Sequence, residues 1–178
     1  MSGKILKYLV LVLLIMATVQ AENFTLESPD IKGKMSKTEE FKGFGCDGSN
    51  LSPALEWKEA PEGTKSFAVT LYDTTAHFWH WTIFDIPAGQ KGLAAGAGDT
   101  QKGLAPKGSI QGKNDYGLMG FGGPCPPKGD KPHTYIYTVY ALKVAKLGLD
   151  KNASPVAIGL QLEKNALAKA SIRTFYGR

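Results

Sequence analysis

Cysteine and histidine are scarce: the chain has two of the first and three of the second among 178 residues. It contains no Cys-x-x-Cys, no His-Glu-x-x-His and no Gly-x-Ser-x-Gly. These absences remove the common spacings for structural zinc, a zinc protease and a serine-hydrolase elbow. Long basic runs are also missing. The formal net charge is +5, but the Lys and Arg residues are scattered and no aromatics interleave with them at regular spacing. That pattern argues against nucleic acid as a partner. No internal repeat or linker is visible, and helix signals are lacking until late in the chain.

One long apolar run is present. Tyr8–Val19 is almost wholly apolar, follows Lys4 and Lys7, and is followed by Val19-Gln-Ala21. A short positive stretch, an apolar core and small residues before a cut form a secretory signal. The run is short for a membrane span, although an uncleaved anchor is the alternative. No cysteine follows it, which argues against lipidation. Residues 1–21 are therefore expected to be removed, leaving a single domain over 22–178 in the periplasm or outside the cell. Lys4 and Lys7 supply two of the five net charges, so the mature chain keeps a mild +3. Two cysteines in an oxidising compartment predict a disulfide between Cys46 and Cys125. Metal ligation and a redox pair are the alternatives, and neither has supporting spacing.

Strand signals dominate the rest. Phe24–Ser28, Ala54–Trp57, Lys65–Asp73, Phe78–Ile86 and Thr134–Leu142 read as strands. A two-residue period puts Phe67, Val69, Leu71 and Asp73 on one face, and Asp73 at the end of its strand. The same period predicts Trp79, Trp81 and Ile83 on one face of the next strand, with His80, Thr82 and Phe84 on the other. It groups His133, Tyr135, Tyr137 and Val139. Lys32–Phe44 suits an exposed strand pair or a loop, Phe44–Pro53 a loop, and Gly89–Asn114 a long irregular excursion. Ser154 and Pro155 start a helix, and the four-residue spacing of Ile158, Leu162, Ala166 and Ala170 predicts that it runs to about Ala170. Ile172–Tyr176 reads as a last short strand.

Chemistry concentrates in few places. The candidates are Asp73, His80, His133 and Tyr135, with the glycine–proline loop that opens the stretch Gly120–Tyr140. Imidazole, phenol and loop N–H groups can hold a phosphate or carboxylate without an added cation. Asp73 could orient an imidazole or accept from a ligand ammonium group. Satisfied structural hydrogen bonds are the plainer alternative. His77 and His80 fall on opposite faces of a strand, which argues against shared metal ligation.

Ordered motifs along the mature chain resemble the phosphatidylethanolamine-binding protein family, in its bacterial YbhB/YbcL or Raf-kinase-inhibitor-like branch. They are Phe44-Gly-Cys-Asp-Gly-Ser-Asn50 with Leu51-Ser-Pro53, Gly63-Thr-Lys-Ser66, and His80-Trp81 with Ile86-Pro-Ala88. Gly123-Pro-Cys-Pro-Pro127, His133-x-Tyr135 and Tyr140-Ala-Leu142 complete the set. The signal pattern and two cysteines are similar to the periplasmic YbcL-type members. The resemblance implies a mainly β, antiparallel fold with Greek-key features and one C-terminal helix packed on the sheet. It also implies a small anion pocket formed by Asp73, His80, Gly123, Pro126, Pro127, His133 and Tyr135. The chain departs from the family pattern where a second aspartate is expected, which is Thr75, and where an arginine is expected, which is Thr134.

The expected function is thus a non-catalytic, exported binding protein for a phosphate or phosphorylated headgroup, with no cofactor and no metal. An inhibitor or regulator of an envelope or host protein is the alternative, and a small-ester hydrolase a further one. Three asparagine sequons occur, at Asn23, Asn50 and Asn152. Only Asn152 has an acidic residue, Asp150, two positions before it.

Overall fold

The computed structural model describes residues 23–178, so the expected signal segment and its cleavage point lie outside the described residues. Among the described residues ten strands and one helix follow in order. They are β1 (Thr25–Glu27), β2 (Lys42–Gly43), β3 (Cys46–Asp47), β4 (Leu55–Lys58), β5 (Ser66–Asp73) and β6 (Phe78–Pro87), then β7 (Gly92–Leu93), β8 (Ile110–Gln111), β9 (His133–Leu142), α1 (Pro155–Asn165) and β10 (Ala166–Tyr176). All pairings between strands are antiparallel. A five-stranded sheet has the order β10-β9-β5-β6-β8, a three-stranded sheet has β1-β4-β7, and β2 and β3 form a hairpin.

The large sheet is the middle of three layers. One face packs on the small sheet: Leu26, Leu55, Trp57 and Leu93 meet Phe67, Val69, Leu71, Trp81, Tyr135, Tyr137 and Val139. The opposite face carries Ala68, Phe84, Tyr140 and Leu142, which pack on Ile158 and Leu162 of α1. Burial on both faces explains why β5 reads as a nearly continuous apolar run rather than a clean alternation.

Two expectations need correction. The helix stops at Asn165, not near Ala170. Ser154 does cap it, accepting a hydrogen bond from the Ala157 N–H, and Pro155 opens it. From Ala166 onward the chain pairs with β9 from Leu142 back to His133, and Ala170 reaches the core as part of a strand. The residues Ala166–Ser171 fit a two-residue period as well as a helical one. The unpaired edge of β9 decides between them, because strand pairing satisfies its buried backbone groups.

The second correction concerns β6. Leu71 pairs with Trp81 and Tyr72 with Trp79, so His80 is an extra residue, a bulge. The bulge reverses parity. Trp79 lies beside Tyr72, with ring centroids 4.7 Å apart, and against Gly159 of the helix, while Trp81 enters the main core. His80 turns towards the end of the sheet where Asp73 and Tyr135 stand.

Among the described residues no helix is long and apolar enough to cross a membrane.

Candidate functional site

Three adjacent strand ends build one corner of the molecule. Asp73 ends the central strand β5 and is paired with Tyr135 on β9 and Phe78 on β6. His133 opens β9, and the bulge brings His80 in from β6. Across from them runs the glycine–proline loop. Together they line a cavity of about 140 Å³ that is walled by Asp73, Phe78, His80, Tyr116, Cys125, Pro126, Pro127, His133 and Tyr135. Gly123 does not line it. Its carbonyl accepts from Tyr116 Oη at 3.0 Å, and its N–H donates to Asn50 Oδ1 at 2.7 Å. A Cβ at Gly123 would sit 1.7 Å from the Glu39 carbonyl oxygen, so only glycine allows the loop to pass here.

Each polar group has a definite state. Asp73 Oδ1 accepts from the N–H groups of Thr75 and Ala76 at 2.8 and 3.0 Å, closing the β5–β6 turn. Its Oδ2 accepts from His133 Nδ1 at 2.7 Å. His133 Nε2 lies 3.8 Å from Asp130. His80 Nδ1 donates to the carbonyls of Gly122 and Gly123, at 2.7 and 3.1 Å. Burial pushes the His80 pKa down to about 4, although those carbonyls and the Asp73 charge work the other way. The ring is therefore neutral at pH 7, with its proton on Nδ1, and Nε2 is left as a bare acceptor.

Tyr135 is fully buried, and among the described residues no group meets hydrogen-bond geometry with its hydroxyl, although the Asp73 carboxylate is near enough to act on it. Burial, with the nearby Asp73 charge, raises its pKa far above the usual phenol value, so it remains a donor. Tyr116 is raised for the same two reasons. Among the described residues no lysine or arginine lines the cavity. Among the described residues no group of three or more His, Cys, Asp or Glu side chains could hold a metal ion.

The loop wall is tied down from several sides. Cys125 is disulfide-bonded to Cys46, and the Arg178 guanidinium donates to the carbonyls of Pro126 and Gly45, both at 2.6 Å. Gly122 N–H donates to the His80 carbonyl at 2.9 Å. The two departures from the family pattern touch each other: Thr134 N–H donates to Thr75 Oγ1 at 3.0 Å. A neutral hydrogen bond joins the positions where charged side chains were expected.

Sequence reasoning missed Tyr116, Phe78 and Arg178. Tyr116 sits in an irregular glycine-rich stretch with no periodicity to reveal it. Its one signal is an isolated aromatic between turn residues.

The model of the family described as phosphatidylethanolamine-binding protein matches residues 31–177. The chain belongs to the phosphatidylethanolamine-binding protein family. Escherichia coli YbcL is 46% identical over 165 residues, which is 89% of this chain and 90% of that protein. YbhB of the same organism is 40% identical over 140 residues, 76% of this chain and 87% of that protein. The crystal structure of Escherichia coli YbcL, described as a new member of the mammalian family, matches with a TM-score of 0.84 at 45% identity, covering 88% of this chain and 99% of the other. A Chlamydia trachomatis chain at 22% identity has a TM-score of 0.69 over 87% of this chain and 97% of its own, and shows the fold alone. Within the family, the chain lies in the YbcL/YbhB branch.

Proposed function

We propose that the corner cavity binds a small anionic headgroup of the phosphate type, without acting on it chemically, in a protein exported from the cytoplasm. The observation that carries the reading is Tyr135. Its protonated hydroxyl belongs to the cavity lining beside the Asp73 carboxylate, and with no hydrogen bond of normal geometry among the described residues it keeps a donor for an incoming oxygen. The cavity is small against the several hundred Å³ of drug-sized sites, which suits one headgroup rather than a whole lipid.

The absence of a cation and the presence of Asp73 shape which anion fits. His80 offers a lone pair, so the oxygen facing it must bring a proton or His80 must acquire one. A phosphate monoester carrying one proton meets that demand while accepting from Tyr135. The non-catalytic part of the reading is supported by a thiol locked in a disulfide and by tyrosines held protonated. Export is supported by that same disulfide and by the apolar run at Tyr8–Val19.

Titrating inorganic phosphate or phosphorylethanolamine while following amide shifts tests the reading. Shifts are expected at Asp73, His80, His133 and Tyr135; silence at all four into the millimolar range overturns it. Tyr135→Phe should weaken binding by about ten- to a hundredfold, the worth of a hydrogen bond to a charged group. The same change should leave the empty protein as stable as before or more stable, since it removes an unpaired buried hydroxyl.

A further inference from the structure

Phe44 occupies a position where phenylalanine is out of place. Gly43 pairs with Cys46, so Phe44-Gly45 is a two-residue hairpin turn. Both residues have positive φ, 51° and 80°. A turn with both central residues left-handed prefers asparagine or glycine at its first position, and a bulky side chain there is strained. The ring gains little burial in return, because Phe44 is 74% exposed.

The ring is nonetheless held in place. It stacks nearly parallel on Phe41 and on Tyr116, with centroids 5.7 Å away in each case and interplanar angles of 13° and 15°. Phe41 and Tyr116 stack on each other at 4.3 Å. Phe41 is buried, so Phe44 has no interior place to fold into. Tyr116 is itself a wall of the anion cavity, and Phe78 links it to His80 at centroid distances of 4.7 and 4.8 Å. A continuous aromatic path thus runs from the headgroup site to one exposed ring. The turn that carries this ring is fixed by Cys46–Cys125 and by Arg178 on the Gly45 carbonyl.

We propose that Phe44 is a stacking platform for whatever the bound anion carries, and that the site prefers phosphate monoesters of flat, aromatic alcohols over alkyl ones. The inference rests on the anion-binding reading of the cavity. Phe44 lies beside the Phe41–Tyr116 pair, equidistant from both and nearly parallel to each, so a planar occupant can lie against its exposed ring in the same offset manner. Strained backbone held beside a binding site is a recurring feature of ligand clamps.

The test compares inorganic phosphate, ethyl phosphate and phenyl phosphate by calorimetric titration against the wild type and Phe44→Asn. Asparagine suits the turn, so the variant should fold normally. Phenyl phosphate should bind the wild type about fivefold tighter than ethyl phosphate. Phe44→Asn should erase that advantage and leave inorganic phosphate unchanged. Equal affinities in the wild type, or an advantage that survives in Phe44→Asn, overturn the proposal while leaving the anion site standing. If inorganic phosphate itself does not bind, the headgroup reading fails and this one falls with it. Phe44-dependent sedimentation with phosphatidylethanolamine vesicles, without an aryl preference, would assign the ring to a lipid surface and also overturn it.

Discussion

At His80 the effect of pH on folding follows from one shifted group. Burial keeps its pKa near 4 in the folded state, against about 6.5 when unfolded. The unfolded chain therefore takes up a proton first as pH falls. Stability from the neutral ring is fully present above about pH 6.5 and is lost as pH drops towards 4, by roughly 3 kcal/mol in all. Denaturant unfolding at about pH 7 and about pH 4 should show that loss in the wild type, and His80→Gln should lose correspondingly less. Equal losses would mean that other groups set the acid limit. The bulge that presents this ring is invisible in the sequence. Strict alternation assigns His80 to the opposite face from Trp81, and only the pairing of Leu71 and Tyr72 with non-adjacent partners shows the slip. Asp73, His80, His133 and Tyr135 could be singled out as polar side chains on strands beside the loop, whereas Phe78 and Tyr116 could not, and neither could the hydrogen-bonding states. Nothing in the sequence says that His80 Nδ1 is already engaged by Gly122 and Gly123.

The decisive element is the glycine–proline loop. Its composition marks it as constrained, and its cysteine links it to the β2–β3 hairpin, as the compartment argument predicts. The role of Gly123 differs from the expected one: it stands behind the wall, against the Glu39 backbone, and not in the cavity. Gly123→Ala should therefore cost about 3 kcal/mol or more, because backbone rather than a flexible side chain must move. Thermal or chemical unfolding measures this, and a cost below about 1 kcal/mol would show that the loop can yield. Asn50 has a structural task here as well. Its side-chain amide donates to the Phe121 carbonyl and accepts from Gly123 N–H, whereas Asn152 is exposed on a turn beside Asp150. Among elements, the helix boundary was the least legible. An alanine-rich stretch carries no strong preference of its own against a strand edge that needs a partner.

At the scale of the molecule, the layers were readable from β5 and β9, whose alternation and apolar runs announce a sheet buried on both sides. Of the small sheet, β1 and β4 were readable as the short strands Phe24–Ser28 and Ala54–Trp57, whereas β7 and the β2–β3 hairpin were not, because strands of two residues leave little pattern. The disulfide is the one covalent link across this architecture and spans 79 residues of sequence. Reducing it should lower stability by about 4 kcal/mol on chain-entropy grounds. It should also weaken phosphate binding, since Cys125 is part of the wall. Unfolding and phosphate titration with and without a thiol reductant test both, and unchanged affinity would show that the other ties suffice. Those ties are far apart along the chain: Arg178 reaches back 133 residues to Gly45, and Gly123 reaches 73 to Asn50. Contacts of such separation are slow to close during folding. The cavity is consequently expected to close late in folding, once these distant ties have formed. A bound anion would act as a clock for the final folding step, its signal arriving only after the sheets have already formed.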